Sequence, residues 1–156
     1  MVVIVTLPAG FEYVGGGLLL TAFLILGQSF LVSKYRKRAG IPYPQLYAEK
    51  SEAEASKDAY LFNCAQRAHQ NTLENINTVY LVTILSGIRY PIYAATSCVL
   101  WTLSRISYTR GYVQGDPKKR VTPLYMLGTI SILGELLTST YVVGGWLYAG
   151  FASKYL

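Results

Sequence analysis

The sequence is poor in charged residues, in cysteine and in histidine. Charged residues are 14% of its 156 residues and apolar residues 52%, a balance that disfavours a soluble domain of this size. With two cysteines and one histidine in all, we expect neither a disulfide framework nor a metal site. Cys64 and Cys98 stand in apolar or helical segments, so we interpret them as small buried apolar side chains.

No charged residue occurs between positions 14 and 32, a stretch long enough to cross a hydrocarbon core of about 30 Å. A cleaved signal peptide would need basic residues ahead of a shorter apolar run, but the first basic residue is Lys34. We therefore expect a retained membrane span. Most of the formal charge of +6 lies in two clusters beside apolar runs, which is typical of cytosolic membrane loops and not of nucleic-acid binding.

Four segments have helical composition. The basic cluster from Lys34 ends the first, Pro91 suits the first turn of the third, and Gly115 with Pro117 ends that third helix. The sequence therefore predicts one all-α domain over residues 1–156, an integral membrane four-helix bundle with up-down topology. The helices are expected at residues 11–33, 60–87, 91–114 and 123–150, with a solvated loop at residues 39–59.

The basic loops predict the orientation of this bundle. Residues 34–38 and 118–120 are rich in Lys and Arg, whereas only Arg89 lies between the second and third helices. The positive-inside rule places the first and third loops in the cytosol. Both termini are then expected on the other, lumenal side.

The second helix opens with polar residues that lipid would not tolerate. Arg67, Asn71 and Glu74 are spaced i, i+4 and i+7, so they lie on one helix face. Ionisable residues in a membrane bundle face its interior or a wet cavity. This stripe therefore offers a cation, an amide and an anion to a common partner.

The third helix repeats the pattern with Arg105, Tyr108 and Tyr112. A ligand that satisfies both stripes would carry carboxylates, an ammonium group and amides, as a zwitterionic peptide does. Alternatively, Arg67, Glu74 and Arg105 pair only with one another. That alternative leaves a surplus of cations near the same rim, namely Arg36, Arg110 and Arg120.

Two single residues have no predicted chemistry of their own. His69 has no second His or Cys nearby and makes a poor metal ligand. Glu135 is isolated in the fourth helix, where it is either protonated or paired with an arginine of another helix or subunit. We assign Glu135 no catalytic role.

Residues 62–75, FNCAQRAHQNTLEN, carry a family resemblance. Further matches are residues 32–34, 36–37, 43–44, 47, 111–112, 115–117 and 119–120. Taken together, these segments resemble the MAPEG family of membrane-associated proteins in eicosanoid and glutathione metabolism. Within it, the type 3 branch of the microsomal glutathione S-transferases is the most similar. Asn75 departs from the leukotriene-forming branch, which has tyrosine there.

The resemblance implies a homotrimer that binds glutathione, as co-substrate, between neighbouring subunits. The matching positions imply that Arg120 stabilises the glutathione thiolate, with Lys119 as a rival because the loop length differs by one residue. The implied glutathione-binding residues are Arg36, Arg67, His69, Asn71, Glu74, Tyr108 and Tyr112.

The expected function is that of a glutathione transferase with glutathione peroxidase activity. Its thiolate would react with a lipophilic electrophile or lipid hydroperoxide, including leukotriene C4-type synthesis, with membrane lipid as the surrounding partner. The resemblance also implies the endoplasmic reticulum membrane and a site open to the cytosol. The alternatives are a non-catalytic, lipid-presenting scaffold of the same family and, less favoured for four short helices, a channel or transporter.

Overall fold

A computed structural model describes residues 6–155 of the chain. That part of the chain is helical, without a strand, which confirms the predicted all-α class. Its helices are α1 (Phe11–Ala39), α2 (Lys50–Ala55), α3 (Lys57–Gly87), α4 (Pro91–Tyr112) and α5 (Pro123–Tyr155), with a 3-10 turn at Pro117–Arg120.

Two helices within the described residues are long and apolar enough to cross a membrane. They are α1, over Phe11–Ala39, and α5, over Pro123–Lys154. Large apolar side chains such as Phe30 (73% exposed) and Leu137 (73% exposed) cover their outer surfaces. Exposed apolar area of this extent is typical of a surface that faces lipid or another subunit.

The first helix is longer than the sequence predicts. It continues past residue 33 to Ala39, so the basic cluster forms its last turns instead of ending it. Cations are favourable there because they offset the negative end of the helix dipole. Gly40 ends the helix with φ 67°, and its N–H bonds to Arg36 O and Lys37 O, a left-handed cap that glycine adopts without strain.

The predicted loop at residues 39–59 contains helical structure. Glu49 and Glu52 form a reciprocal capping box that starts α2. Ser56 then accepts a hydrogen bond from Ala59 N and caps α3, which begins at Lys57. The sequence analysis missed both helix starts, because a polar segment that contains helix caps has the same composition as a loop. The later helices begin where predicted, at Pro91 and Pro123, whereas α4 ends earlier, at Tyr112, and α5 continues to Tyr155.

The long helices pack in alternating directions. Val14 of α1 lies against Gly87 of α3, whereas Gln28 of α1 bonds Thr72 of α3, so α1 and α3 are antiparallel. Gln28 also bonds Thr109 of α4, and α1 runs parallel to α4. Helices α3 and α4 each contact all three other long helices and therefore form the centre of the packing.

Candidate functional site

The polar stripe of α3 forms a connected set of side chains. Arg67 Nη1 donates to Glu74 Oε1 at 2.7 Å, and Asn71 Nδ2 donates to Glu74 Oε2 at 3.4 Å. The side chains of Arg67 and Glu74 remain 45% and 44% exposed. A pair this exposed contributes about 0–1 kcal/mol to stability, so both charges stay available to a ligand.

Arg105 of α4 joins this stripe from the buried side. Its Nη2 donates to Asn71 Oδ1 at 2.8 Å and its Nε donates to Thr72 Oγ1 at 3.2 Å. The guanidinium lies 3.9 Å from the ring centre of Tyr108. Arg105 is 3% exposed and makes no ion pair with the described residues. The alternative that Arg105 pairs with Glu74 is therefore wrong, although the Arg67–Glu74 pair does form.

Gln28 of α1 joins the same hydrogen-bond network through Thr72. Its Nε2 donates to Thr72 Oγ1 at 3.0 Å and to Thr109 Oγ1 at 2.8 Å. Its Oε1 lies 3.5 Å from His69 Nδ1. Sequence reasoning missed Gln28, although it is the one amide side chain within the uncharged stretch of residues 14–32, and polar residues inside a membrane span usually face a functional interior.

His69 points away from the ionic stripe. Its two ring nitrogens lie 3.5 Å from Ser29 Oγ and from Gln28 Oε1, so it faces α1. This agrees with a hydrogen-bonded helix residue. Its part in glutathione binding stays a prediction.

Three tyrosines form a cluster between two arginines. Tyr108 contacts Tyr112 with a centroid distance of 5.2 Å and Tyr125 with a centroid distance of 5.1 Å. Arg105 covers Tyr108, and Arg120 Cζ lies 5.4 Å from the centre of the Tyr112 ring. The structure thus brings the predicted Tyr108, Tyr112 and Arg120 together. It adds Tyr125 of α5, which no spacing rule relates to α4.

The position of Arg120 depends on a close approach of two backbone segments. A Cβ on Gly111 would overlap the backbone carbonyl of Lys119 and the Cα of Arg120. Arg120 Nη1 also donates to Pro117 O at 2.6 Å, which orients the side chain. Arg120 is half-buried beside Tyr112, whereas Lys119 is exposed.

Arg36 is held by the first loop. Its Nη1 donates to Gln45 O at 2.6 Å, and the guanidinium stacks between Tyr43 at 4.4 Å and Phe62 at 4.5 Å. Within residues 6–155 it has no described contact with Arg67, and the structure does not bring it into the stripe. Its predicted role in glutathione binding remains a prediction.

Tyr47 of the same loop lies beside the stripe. Its hydroxyl donates to Gln70 Oε1 at 2.7 Å. Burial raises the pKa of Tyr47, while the adjacent Arg67 acts in the opposite direction. The phenol therefore stays protonated at neutral pH and remains a hydrogen-bond donor.

A groove with a mixed polar and apolar lining opens next to the polar network. It lies along α3, α4 and α5, has a volume of about 330 Å³, and begins at Asn71 and Arg105. Leu133 and Leu136 line its other end. A polar ligand on the stripe and an apolar molecule in the groove would therefore be neighbours.

Glu135 lies outside this site and is fully buried. Its Oε2 accepts a hydrogen bond from Thr83 Oγ1 at 2.9 Å, and its Oε1 has no hydrogen-bond partner. No ion pair of the described residues includes it. Of the alternatives that the sequence leaves open, complete burial disfavours pairing with an arginine of another subunit, since α3 and α5 would have to separate.

Comparison with known protein families shows which family the chain belongs to. The model of the MAPEG family matches residues 14–141. The chain belongs to the MAPEG family. The match covers every predicted site residue, from Arg36 to Arg120. MAPEG proteins are membrane proteins that include glutathione transferases, peroxidases and leukotriene C4 synthase-type members.

Proposed function

We propose that this MAPEG protein is a glutathione transferase with glutathione peroxidase activity, closest to the type 3 microsomal branch. The observation that carries the proposal is the connected set from Arg67 through Glu74 and Asn71 to Arg105, beside the tyrosine cluster and Arg120. A groove that starts at Asn71 and Arg105 has an apolar end at Leu133 and Leu136. A peptide thiol and a lipophilic molecule can therefore meet there.

Recognition of glutathione rests on complementary charges. Arg67 would bind a carboxylate and Glu74 the ammonium group, because both are exposed and already held 2.7 Å apart. Arg105 fixes the Asn71 carboxamide through Oδ1, and Asn71 Nδ2 donates to Glu74 Oε2. Such fixed donors reduce the ordering cost of binding.

Activation of the thiol is the task of Arg120. A free thiol has a pKa of about 8.5, and the thiolate is the reactive nucleophile. A cation next to the sulfur stabilises the thiolate by about 1.4 kcal/mol for each unit by which it lowers that pKa. Arg120 is favoured over Lys119 because it is half-buried against Tyr112, whereas Lys119 is exposed.

The bond changes follow from the thiolate. With an electrophile, the sulfur forms a carbon–sulfur bond while the leaving group departs with its electron pair. With a lipid hydroperoxide, the thiolate attacks the terminal oxygen and the O–O bond breaks, which oxidises the sulfur to the sulfenic acid; the lipid alkoxide takes up a proton and leaves as the alcohol. A second glutathione then forms the disulfide and water. Both reactions require the lipophilic partner to approach from the groove that ends at Leu136.

The membrane arrangement is part of the proposal. We infer four spans in up-down order, because α3 and α4 pack along α1 and α5, the two candidate spans among the described residues. A homotrimer in the endoplasmic reticulum membrane would place the basic end and the site at the cytosol, and both termini in the lumen. In that trimer, the exposed charges of the site, such as Arg67, would face a neighbouring subunit.

The test is the ultraviolet difference spectrum of purified protein with glutathione. Wild-type protein is expected to show thiolate absorbance, and Arg120→Ala to lose it. Lys119→Ala is the matched control, because it removes the adjacent cation of the same turn and is expected to keep the signal. Loss of the signal in Lys119→Ala alone would transfer the role to that lysine.

Measuring both glutathione affinity and reaction rate distinguishes residues that bind glutathione from the residue that activates its thiol. Arg67→Ala is expected to weaken glutathione binding by about 10-fold to 100-fold, the usual cost of one charge-assisted hydrogen bond, whereas Arg120→Ala mainly lowers the rate. Calorimetric titration and steady-state kinetics measure the two effects. No heat of glutathione binding to the wild type would instead favour the lipid-presenting scaffold.

A further inference from the structure

A continuous groove follows the seam between α1 and α4. Its widest segment has a volume of about 810 Å³, and two narrower segments have about 300 Å³ and 270 Å³. Leu20 and Val99 line both the first and the second segment. Gly27 and Ile106 line both the second and the third. The three segments therefore form one surface channel, here called the α1–α4 groove.

The floor of the α1–α4 groove is open because α1 carries glycine there. A Cβ on Gly16 or Gly27 would meet no atom within 4 Å. Phe23 and Leu103 form walls and are 61% and 48% exposed. In a bilayer, an apolar channel of this kind is filled by hydrocarbon, since water would have few polar groups to bond.

The narrower half of the groove matches the depth of one leaflet. A helix rises about 1.5 Å per residue, so the part between Leu20 and Leu31 is about 17 Å long. One leaflet contributes about half of a hydrocarbon core of about 30 Å. This half can therefore hold one acyl chain lying along the helices.

The end of this narrower half is basic. Arg110 lines the third segment, and Lys34 follows Leu31 by three residues, on the same face of α1. Both are exposed, and neither belongs to an ion pair of residues 6–155. The opposite end of the groove carries Glu12, so only one end attracts an anion.

We propose that the α1–α4 groove binds one anionic phospholipid. One acyl chain lies between Leu20 and Leu31, and the phosphate lies between Lys34 and Arg110. The lipid comes from the leaflet on the side of the basic loops, because Glu12 repels an anionic head group at the other end. Lys34 and Arg110 belong neither to the stripe nor to the tyrosine cluster, although the third segment is also lined by Gln28 and Thr109 of the network beside the stripe.

The first test fills the groove. The full chain is reconstituted in nanodiscs of equimolar phosphatidylcholine and phosphatidylglycerol, and the lipids that it retains are counted by native mass spectrometry. Gly27→Leu is expected to lose the retained phosphatidylglycerol, because its side chain occupies the acyl-chain position. The control is Gly144→Leu in α5, where a Cβ also meets no atom within 4 Å and which is expected to retain the lipid.

The second test removes the charges and keeps the groove. Lys34→Gln combined with Arg110→Gln is expected to reduce the preference for phosphatidylglycerol over phosphatidylcholine by about 30-fold, at about 1 kcal/mol for each basic residue. Lys57→Gln removes an exposed lysine at the same end of the bundle and should leave the preference unchanged.

Three outcomes would overturn the proposal. Equal retention by Gly27→Leu and Gly144→Leu would show that the lipid binds elsewhere. An unchanged preference in the charge variant would remove the phosphate site. A change in oligomer mass in Gly27→Leu alone would show that a second copy of the chain, and not a lipid, covers the groove.

Discussion

Arg105 and Glu135 are both buried in the helix packing, but their surroundings differ. Arg105 bonds Asn71 and Thr72 and stacks on Tyr108. Glu135 has a single hydroxyl partner, Thr83, and one oxygen without any partner. The two buried residues therefore differ in the number of groups that the neighbouring helices direct toward them, and that number decides the cost of burying an ionisable side chain.

The difference follows from the side chains that the neighbouring helices place beside each of these two residues. Beside Arg105, α1 and α3 contribute Gln28, Thr72 and Asn71, whose hydrogen bonds are shared between helices. Beside Glu135, the neighbouring Ser139 instead bonds the Val82 carbonyl. We therefore expect Arg105 to stabilise the helix packing around it and Glu135 to lower the free energy of unfolding.

The largest effect is expected for Arg105→Ala. It removes a large buried side chain and leaves a cavity next to Trp101 and Tyr108, which should lower the free energy of unfolding by about 2–4 kcal/mol. Unfolding by titration with sodium dodecyl sulfate, followed by circular dichroism, measures the change. The control is Arg110→Ala, an exposed arginine of the same helix, and equal effects of the two substitutions would remove the special role of Arg105.

A smaller loss is expected for Gln28→Leu. Thr72 and Thr109 keep their own hydroxyl bonds to Ala68 O and Arg105 O but lose the amide donor. Two interhelical hydrogen bonds in a membrane protein are together worth about 1–2 kcal/mol. The same unfolding assay applies, with Ser29→Ala as the control because the Ser29 hydroxyl makes only a long contact, 3.5 Å, with His69 Nε2. No measurable loss would mean that the amide does not bind the helices together.

The smallest effect, and one of opposite sign, is expected for Glu135→Leu. Removing a buried oxygen without a partner should raise the free energy of unfolding by about 1 kcal/mol. Thr83 can then bond its own helix backbone instead. Glu135→Gln, which keeps an acceptor for Thr83, is the comparison. A loss of stability in Glu135→Leu would show that Oε1 has a partner after all.

Much of the ionic stripe can be predicted from the sequence, because helical spacing alone places Arg67, Asn71 and Glu74 on one face. The same holds for Arg105, Tyr108 and Tyr112. Neither Gln28 nor Tyr125 can be assigned to the site in this way, since their contacts depend on how α1 and α5 pack against α3 and α4.

The loop contacts of Arg36 show a second limit. Its guanidinium is held by Gln45 O and stacks on Tyr43. These contacts depend on the path of an irregular segment that no periodicity describes. The start of α2 in the same region was missed for a related reason. A helix cap is a set of local hydrogen bonds, which the composition of a segment does not reveal.

Gly111 gives a rule for interpreting other sequences of this family. Because no side chain fits between α4 and the turn that carries Arg120, the path of that turn requires glycine at residue 111. A family member with any larger residue at this position must hold its basic turn elsewhere. In such a protein, an arginine at the position of Arg120 cannot be assumed to have inherited the same role.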